Sequence, residues 1–293
     1  MFYISSSASP KDNIKDAVTE LAQLGFLNIE LSGGTKYYDG IKNDLLNLKR
    51  KYKINFLVHN YFPPPPDKFV LNIASNEPQI RDRTFKFIAN VVNLAKALGS
   101  GLYTVHPGFN KSSVIDKDGK LFYEKSEKGA RNDNTREDFY KGIDLLLNNI
   151  AKRQNFRIGI ENFFPFKDLR SFMDSQADIL EFLDYYKDEP NIGILLDLGH
   201  LNVAADCLGF NKFDATEKIF TDYADKIFEI HMSENNGNGD FHQVSDLGSW
   251  QVELIRRNKR FLNGAPIVFE WRSVLDRQTY QSFEALKQLL NGS

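Results

Sequence analysis

Eight short runs rich in β-branched and aromatic residues are spaced along this chain, with longer stretches of helical periodicity between them. The runs are Phe2–Ser5, Asn28–Leu31, Ile54–His59, Leu102–His106, Arg157–Glu161, Gly193–Asp197, Ile227–His231 and Pro266–Glu270. Asn13–Leu24, Gln79–Leu98, Arg136–Arg153 and Ala177–Tyr186 carry apolar residues at three- and four-residue steps, the period of an amphipathic helix. Gly25 and Gly99 stand just past two of these segments, where a left-handed helix cap favours glycine. A final helix near Tyr280–Leu290 completes the alternation. Strands joined through helices must run parallel, with the helices covering the sheet. Eight such repeats favour a closed (β/α)8 barrel over an open doubly wound sheet. No break in composition marks a second unit, so the expectation is an α/β fold: one TIM-barrel domain over residues 1–293.

Composition narrows the partners. Hydrophobic residues make up 42% and charged residues 26% of the chain, an ordinary balance for filling a large core. The formal net charge is −2, so a polyanion partner would require a local basic patch that the total does not reveal. Cys207 is the only cysteine, which excludes an internal disulfide and suits a reducing compartment. Its simplest reading is a small buried hydrophobe. The N-terminal Met1-Phe2-Tyr3-Ile4 lacks the basic region and long apolar stretch of a signal peptide. No apolar run approaches the roughly 18 residues needed to cross a bilayer. The expected location is the cytoplasm, with no membrane partner.

Three connections exceed the about 2–6 residues usual for βα loops. One follows the third strand and carries Pro63-Pro64-Pro65-Pro66, one runs from about Asn110 to Thr135, and one spans Ser233–Ser249. All three follow strands and so fall on the C-terminal face, where barrels of this kind place their sites. They are candidate lids or substrate walls.

The five histidines crowd onto that same rim. His59, His106 and His231 end the third, fourth and seventh strands, His200 lies three residues past the sixth, and His242 falls in the loop after the seventh. Carboxylates repeat the pattern: Glu161, Asp197 and Glu270 each close an apolar strand, and Asp240 stands two residues before His242. A single residue of this kind reads as a hydrogen-bonded core group or a local ion pair. Nine on one face, with no lysine or arginine at these strand ends, call for a positive charge at their centre, which a divalent metal supplies. Trp271, next to Glu270, is either an apolar wall for a sugar ring or an ordinary packing residue.

In this order the residues resemble the xylose isomerase-like TIM barrels, which join sugar isomerases and epimerases with endonuclease IV-type apurinic endonucleases. The resemblance covers nearly the whole chain. It rests on Thr104-Val105-His106-Pro107-Gly108, Ile160-Glu161-Asn162, Leu195-Leu196-Asp197-Leu198-Gly199-His200, Ile230-His231, Asp240-Phe241-His242 and Phe269-Glu270, with Val70–Ser75 matching the segment after the third strand. The resemblance implies, in the sugar branch, one metal on Glu161, Asp197, His231 and Glu270, with Glu161 and Glu270 also acting as acid and base. In the endonuclease branch it implies three ions. The same four residues hold one, His59 and His106 complete a second shared through Glu161, and His200, Asp240 and His242 hold a third. The last three are otherwise a substrate-binding and hydrogen-bonding cluster.

The turn Ser32-Gly33-Gly34-Thr35-Lys36-Tyr37-Tyr38, preceded by Glu30, resembles the sugar branch rather than the aromatic- and arginine-bearing loop with which the endonucleases probe DNA. After His242 the family often continues Gly-Glu-Gly, whereas this chain reads Gln243-Val244-Ser245. The expected activity is metal-dependent isomerisation or epimerisation of a sugar or sugar-like hydroxycarbonyl compound, by proton transfer through an enediolate. The alternative is an endonuclease IV-like multinuclear zinc phosphodiesterase acting on abasic DNA or another phosphoester. Imidazole and carboxylate ligands without thiolate suit one to three zinc, manganese or cobalt ions. The expected partner is a small sugar-like molecule, with nucleic acid disfavoured.

Overall fold

The computed structural model describes residues 1–111, 113–115, 121–123, 134–166 and 169–292. Among them eight parallel strands close a barrel: β1 (Phe2–Ser5), β2 (Asn28–Leu31), β3 (Asn55–His59), β4 (Leu102–Val105), β5 (Arg157–Glu161), β6 (Ile192–Asp197), β7 (Ile227–Met232) and β8 (Ile267–Phe269). Neighbours in sequence are neighbours in space, and the ring shuts where β1 pairs with β8 through Tyr3 and Val268. The eight expected runs are therefore the eight strands, with ends differing by a residue. His106 and Glu270 fall just outside the hydrogen-bonded ladder.

Helices form where the apolar period and the caps agree. α1 (Ile14–Leu24) starts on Asn13, whose side chain accepts the Lys15 N–H, and stops at Gly25 with φ 107°, a left-handed cap that glycine adopts without strain. α2 is Ile41–Tyr52 and α3 is Pro78–Ala97. α4 (Arg136–Leu146) and α5 (Gln176–Tyr185) each open with a reciprocal capping box, Thr135 with Asp138 and Ser175 with Asp178. α4 passes through a π turn at Leu147–Ala151 before ending at Gln154, where the sequence period predicts one unbroken helix. α6 (Leu198–Leu208), α7 (Lys212–Asp222), α8 (Trp250–Asn258) and α9 (Arg277–Asn291) complete the outer layer. No helix among the described residues is long and apolar enough to cross a membrane.

The buried helix faces and the outward side of the strands form the main core. A second apolar cluster, Tyr3, Leu57, Leu102, Phe228 and Val268, packs separately. Four of these residues precede Ser5, His59, Thr104 and Glu270 by two positions. They thus share the inward face of their strands and plug the barrel one layer below the rim. The register between β6 and β7 shifts at Ile194/Leu195, so Ile194 pairs with Ile227 but Leu195 pairs with Glu229. This extra residue lets Phe228 join the plug while Glu229 and His231 both face inward.

The long connections behave differently from one another. After β3, Leu71–Ser75 is buried, and Asn72 fastens it to the β4 loop by accepting the Phe109 N–H (3.0 Å) and donating to the Phe109 carbonyl (3.1 Å). This part of the loop is wall rather than lid. The loop after β4 contains a short antiparallel pair, Ser113–Ile115 with Leu121–Tyr123. Its remaining expected lid residues, 112, 116–120 and 124–133, lie outside the described residues. The loop after β7 doubles back through a Glu234–Gln243 bridge, and Gln251 donates to the Ser233 carbonyl (2.6 Å), which turns Asp240 and His242 towards the barrel axis. Cys207 corrects the expectation of burial: it is exposed on the last turn of α6, beside the equally exposed Asp206 and Leu208.

Candidate metal centre

Parallel strands bring their C-terminal ends to one face, so His59, Glu161, Asp197 and His231 meet there with His106 and Glu270 from the adjoining turns. Glu161 lies at the middle of the group. Its Oε2 is 3.1 Å from His106 Nε2 and 3.5 Å from His59 Nε2, and its Oε1 is 3.2 Å from His200 Nδ1. Glu270 forms a second centre, with Oε2 3.2 Å from His231 Nδ1 and 3.5 Å from His242 Nδ1. Asp197 joins the two halves. Its Oδ2 is 3.6 Å from His231 Nδ1, and its Oδ1 accepts the His200 N–H (2.6 Å), capping α6. Asp240 Oδ2 stands 3.4 Å from His200 Nε2 and 2.6 Å from His242 Nε2. All nine residues singled out in the sequence are thus in one connected group.

The donor atoms of Glu161, Asp197, His231 and Glu270 lie within 4.8 Å of one another, as do those of His59, His106 and Glu161. His200, Asp240 and His242 touch through Asp240 but are not a group of this compactness among the described residues. Glu30, His59 and His231 form a further group of this kind, with Glu30 outside the nine rim residues.

The electrostatics are those of buried anions surrounded by imidazoles. Burial works to raise the Glu161 carboxyl, but His106, His59 and His200 outweigh it and hold the group well below the usual carboxylate range. Burial likewise opposes ionisation of Glu270, yet His242 and His231 bring it down to about 2. Burial lowers His59 to about 4, leaving a neutral ring with a free lone pair at neutral pH. In His231 and His200 burial is overcome by the surrounding carboxylates, Glu30 foremost for the former and Asp197 for the latter, and both are pushed well above the ordinary value.

Among the described residues, both Glu161 oxygens and Asp197 Oδ2 are buried without a hydrogen-bond partner. Buried carboxylate oxygens are costly unless hydrogen-bonded or bound to a cation. Their lone pairs converge with those of imidazoles in a donor set of nitrogen and oxygen only. The residues present fit a divalent ion of the zinc, manganese or cobalt class.

Several participants escaped the sequence reading. Glu229 precedes His231 by two residues, the strand period that puts both side chains on one face, and that period was its available signal. Thr104 and Glu30 are buried beneath the rim, and Asn162 braces Asp197 from the next strand. Arg272 reaches within 3.9 Å of Glu270 Oε1. Trp271 is fully buried against Phe269, its indole N–H directed at Ser245 Oγ (3.4 Å), so it packs the core and offers no wall to a ligand.

Above His59, His106 and Glu270 opens a cavity of about 500 Å³, lined also by Ser7, Asp12, Ser32, Thr35, Asn60 and Arg272. The chain is 26% identical over 299 residues to an uncharacterized protein of Methanocaldococcus jannaschii, covering 99% of this chain and 89% of that one. It is 24% identical over 234 residues to apurinic-apyrimidinic endonuclease 1 of Saccharomyces cerevisiae, covering 75% of this chain and 58% of that one. Among solved structures, a D-tagatose 3-epimerase-like protein superposes with a TM-score of 0.73 at 23% identity, over 99% of this chain and 96% of that one. The family model described as xylose isomerase-like TIM barrel matches residues 18–285, a span that holds all nine rim residues, and to that family this chain belongs.

Proposed function

We propose that this protein is a metal-dependent isomerase or epimerase acting on a small sugar or sugar-like hydroxycarbonyl compound. The observation that carries this reading is the cavity over the carboxylate–imidazole cluster. Its volume suits a small ligand, and its walls carry hydroxyl, amide and carboxylate groups that match a polyol. The D-tagatose 3-epimerase-like neighbour is named for the same class of chemistry.

Glu161, Asp197, His231 and Glu270 would hold the central ion. A divalent cation supplies Lewis-acid polarisation of a carbonyl, which acidifies the adjacent C–H. Glu161 and Glu270, both held as carboxylates by their imidazole neighbours, are the acid–base pair. One takes the proton from carbon as the carboxylate; the other first gains a proton from solvent and then delivers it to carbon. Asn60, Ser32 and Thr35 would orient hydroxyls, and Arg272 would sit beside Glu270 at the cavity edge.

The second reading, metal-assisted phosphodiester hydrolysis, is favoured by one observation: His59, His106 and Glu161 form a second compact donor group sharing Glu161 with the first. The similarity to the yeast endonuclease points the same way. Against it stand the net charge of −2 and the Ser32–Thr35 turn, which lines a small cavity. A duplex-binding enzyme neutralises several phosphates and holds a flipped nucleotide.

The test is to incubate metal-loaded protein in D2O with a panel of ketoses and aldoses, alongside an abasic duplex. We expect deuterium to enter a C–H next to a carbonyl in at least one sugar, and no incision of the duplex. Glu161-dependent, salt-sensitive incision with no sugar exchange would reverse the choice.

A further inference from the structure

Beneath the rim, two carboxylates that the proposed chemistry does not use converge on one imidazole. Glu30 Oε2 and Glu229 Oε1 each lie 2.9 Å from His231 Nε2, and neither glutamate exposes any surface. His231 Nδ1 faces the other way, 3.2 Å from Glu270 and 3.6 Å from Asp197. One ring nitrogen therefore belongs to the rim and the other to the layer below. Without an ion the carboxylates on both sides favour the doubly protonated ring, whereas a metal-ligating imidazole is neutral and carries a single N–H. With the Nδ1 lone pair given to an ion at the rim, the remaining proton would lie on Nε2, where Glu30 and Glu229 accept it.

The layer reaches a second histidine. Thr104 Oγ1 donates to Glu229 Oε1 (3.4 Å), so it is free to accept from His59 Nδ1 at 3.0 Å. This leaves His59 Nε2 as the lone-pair atom, and that atom faces Glu161 (3.5 Å). The barrel makes room for the relay. Thr104 pairs in register with Gly159, where a Cβ would stand 3.0 Å from the threonine methyl. Glu229 shares the inward face of β7 with His231 by the strand period of two, and the bulge turns Phe228 inward beneath it.

We propose that Glu30 and Glu229 are positioning residues for the metal centre. Together they fix the tautomer and ring plane of His231 directly, and Glu229 fixes those of His59 through Thr104. Carboxylates behind ligating histidines orient the ring and raise its basicity, and removing them weakens metal binding about 10–100-fold. The proposal rests on the metal reading of the rim and is independent of which substrate is turned over.

The experiment uses Co2+ alone as the probe. Chelator-treated full-length protein is titrated with Co2+ against a competing indicator, following visible absorption, for the parent, Glu30→Gln, Glu229→Gln and Thr104→Val. In parallel, 15N-histidine NMR of the metal-free proteins, at alkaline pH where the rings are neutral, reads the tautomers. Glu229→Gln should weaken Co2+ binding by about 10–100-fold. It should also shift the His231 and His59 ring resonances, while Glu30→Gln should affect His231 alone. Thr104→Val should weaken the ion held with His59 and spare the one held by Asp197, His231 and Glu270. Parent-like affinities, spectra and tautomers in folded glutamine variants would overturn the proposal. If the glutamine variants do not fold, Thr104→Val decides: loss confined to one ion supports the relay, and equal loss or no loss at both ions overturns it. A parent chain that binds no Co2+ fails the metal reading itself, and the positioning role falls with it.

Discussion

Asn162 and Asp197 clasp each other across two strands: the Asp197 N–H donates to Asn162 Oδ1 at 2.7 Å, and Asn162 Nδ2 donates to the Asp197 carbonyl at 2.9 Å. The side-chain amide completes the ladder where β6 gives way to α6. It also fixes the backbone from which the Asp197 carboxylate reaches both His231 and the α6 N-terminus. Asn162→Ala would leave the buried Asp197 N–H without a partner, at a cost of about 1–3 kcal/mol. Chemical denaturation should show that loss, and metal affinity should fall with it. Parent-like stability would mean that the strand end is held by other contacts.

Removing metal should destabilise the folded chain. An ion bound only by the native state stabilises it by about 2.7 kcal/mol per site at a concentration 100 times its dissociation constant. We expect chelator to lower the thermal midpoint and zinc, manganese or cobalt to restore it, with Glu161→Gln losing most of the response. Glu161 belongs to two of the three compact donor groups, so one substitution should affect two ions. A midpoint indifferent to chelator and metal would contradict the centre.

The outer cluster poses a stoichiometry question. Asp240 Oδ2 stands between His200 Nε2 and His242 Nε2 at 3.4 and 2.6 Å, so the three can share an ion or pair among themselves. We expect His242→Ala to bind one ion fewer than the parent by elemental analysis. An unchanged metal content would leave the cluster as an internal ion pair.

Gly199 sets how closely α6 meets β7. A Cβ there would stand 2.7 Å from Ser233 Oγ and 3.2 Å from Asp197 Oδ1. Gly199→Ala should therefore push Asp197 and His200 apart from their partners, costing about 1–3 kcal/mol in strain. It should also reduce metal affinity more than an alanine placed at Gly101, where a Cβ would meet nothing within 4 Å among the described residues. Equal effects at the two glycines would remove the steric argument.

Ser175→Ala tests a part of the fold away from the site. Its hydroxyl accepts the Asp178 N–H at 3.1 Å in the capping box of α5. The expected loss is about 1 kcal/mol of stability, with metal affinity unchanged. A change in metal affinity would show that α5 couples to the rim.

Strand number, strand direction and the face carrying the site were all legible in the sequence, because each depends on local order. A period of two residues against a period of three to four separates strand from helix. A polar residue closing an apolar strand must lie at that strand's C-terminal end. Since parallel strands end on one face, His59, Glu161, Asp197 and His231 had to meet once the barrel closed. Their closeness is a consequence of topology.

What the tertiary structure alone decided is which atom faces which. His231 meets Glu30 across 201 residues, a pairing set by how the closed sheet staggers β2 against β7. The bulge at Ile194/Leu195 turns Phe228 into the barrel beneath Glu229, and an extra residue in one strand leaves no mark in its hydrophobic pattern. The loop after β7 carries Asp240 and His242 inward through the Glu234–Gln243 bridge and the Gln251 side chain, partners fixed by packing and not by spacing. The choice between wall and packing for Trp271, and the exposure of Cys207 against its expected burial, were decided for the same reason. Trp271 turns onto Phe269 in the core, and Cys207 lies on the solvent side of α6, because burial is a property of the neighbours a side chain meets after the chain has closed.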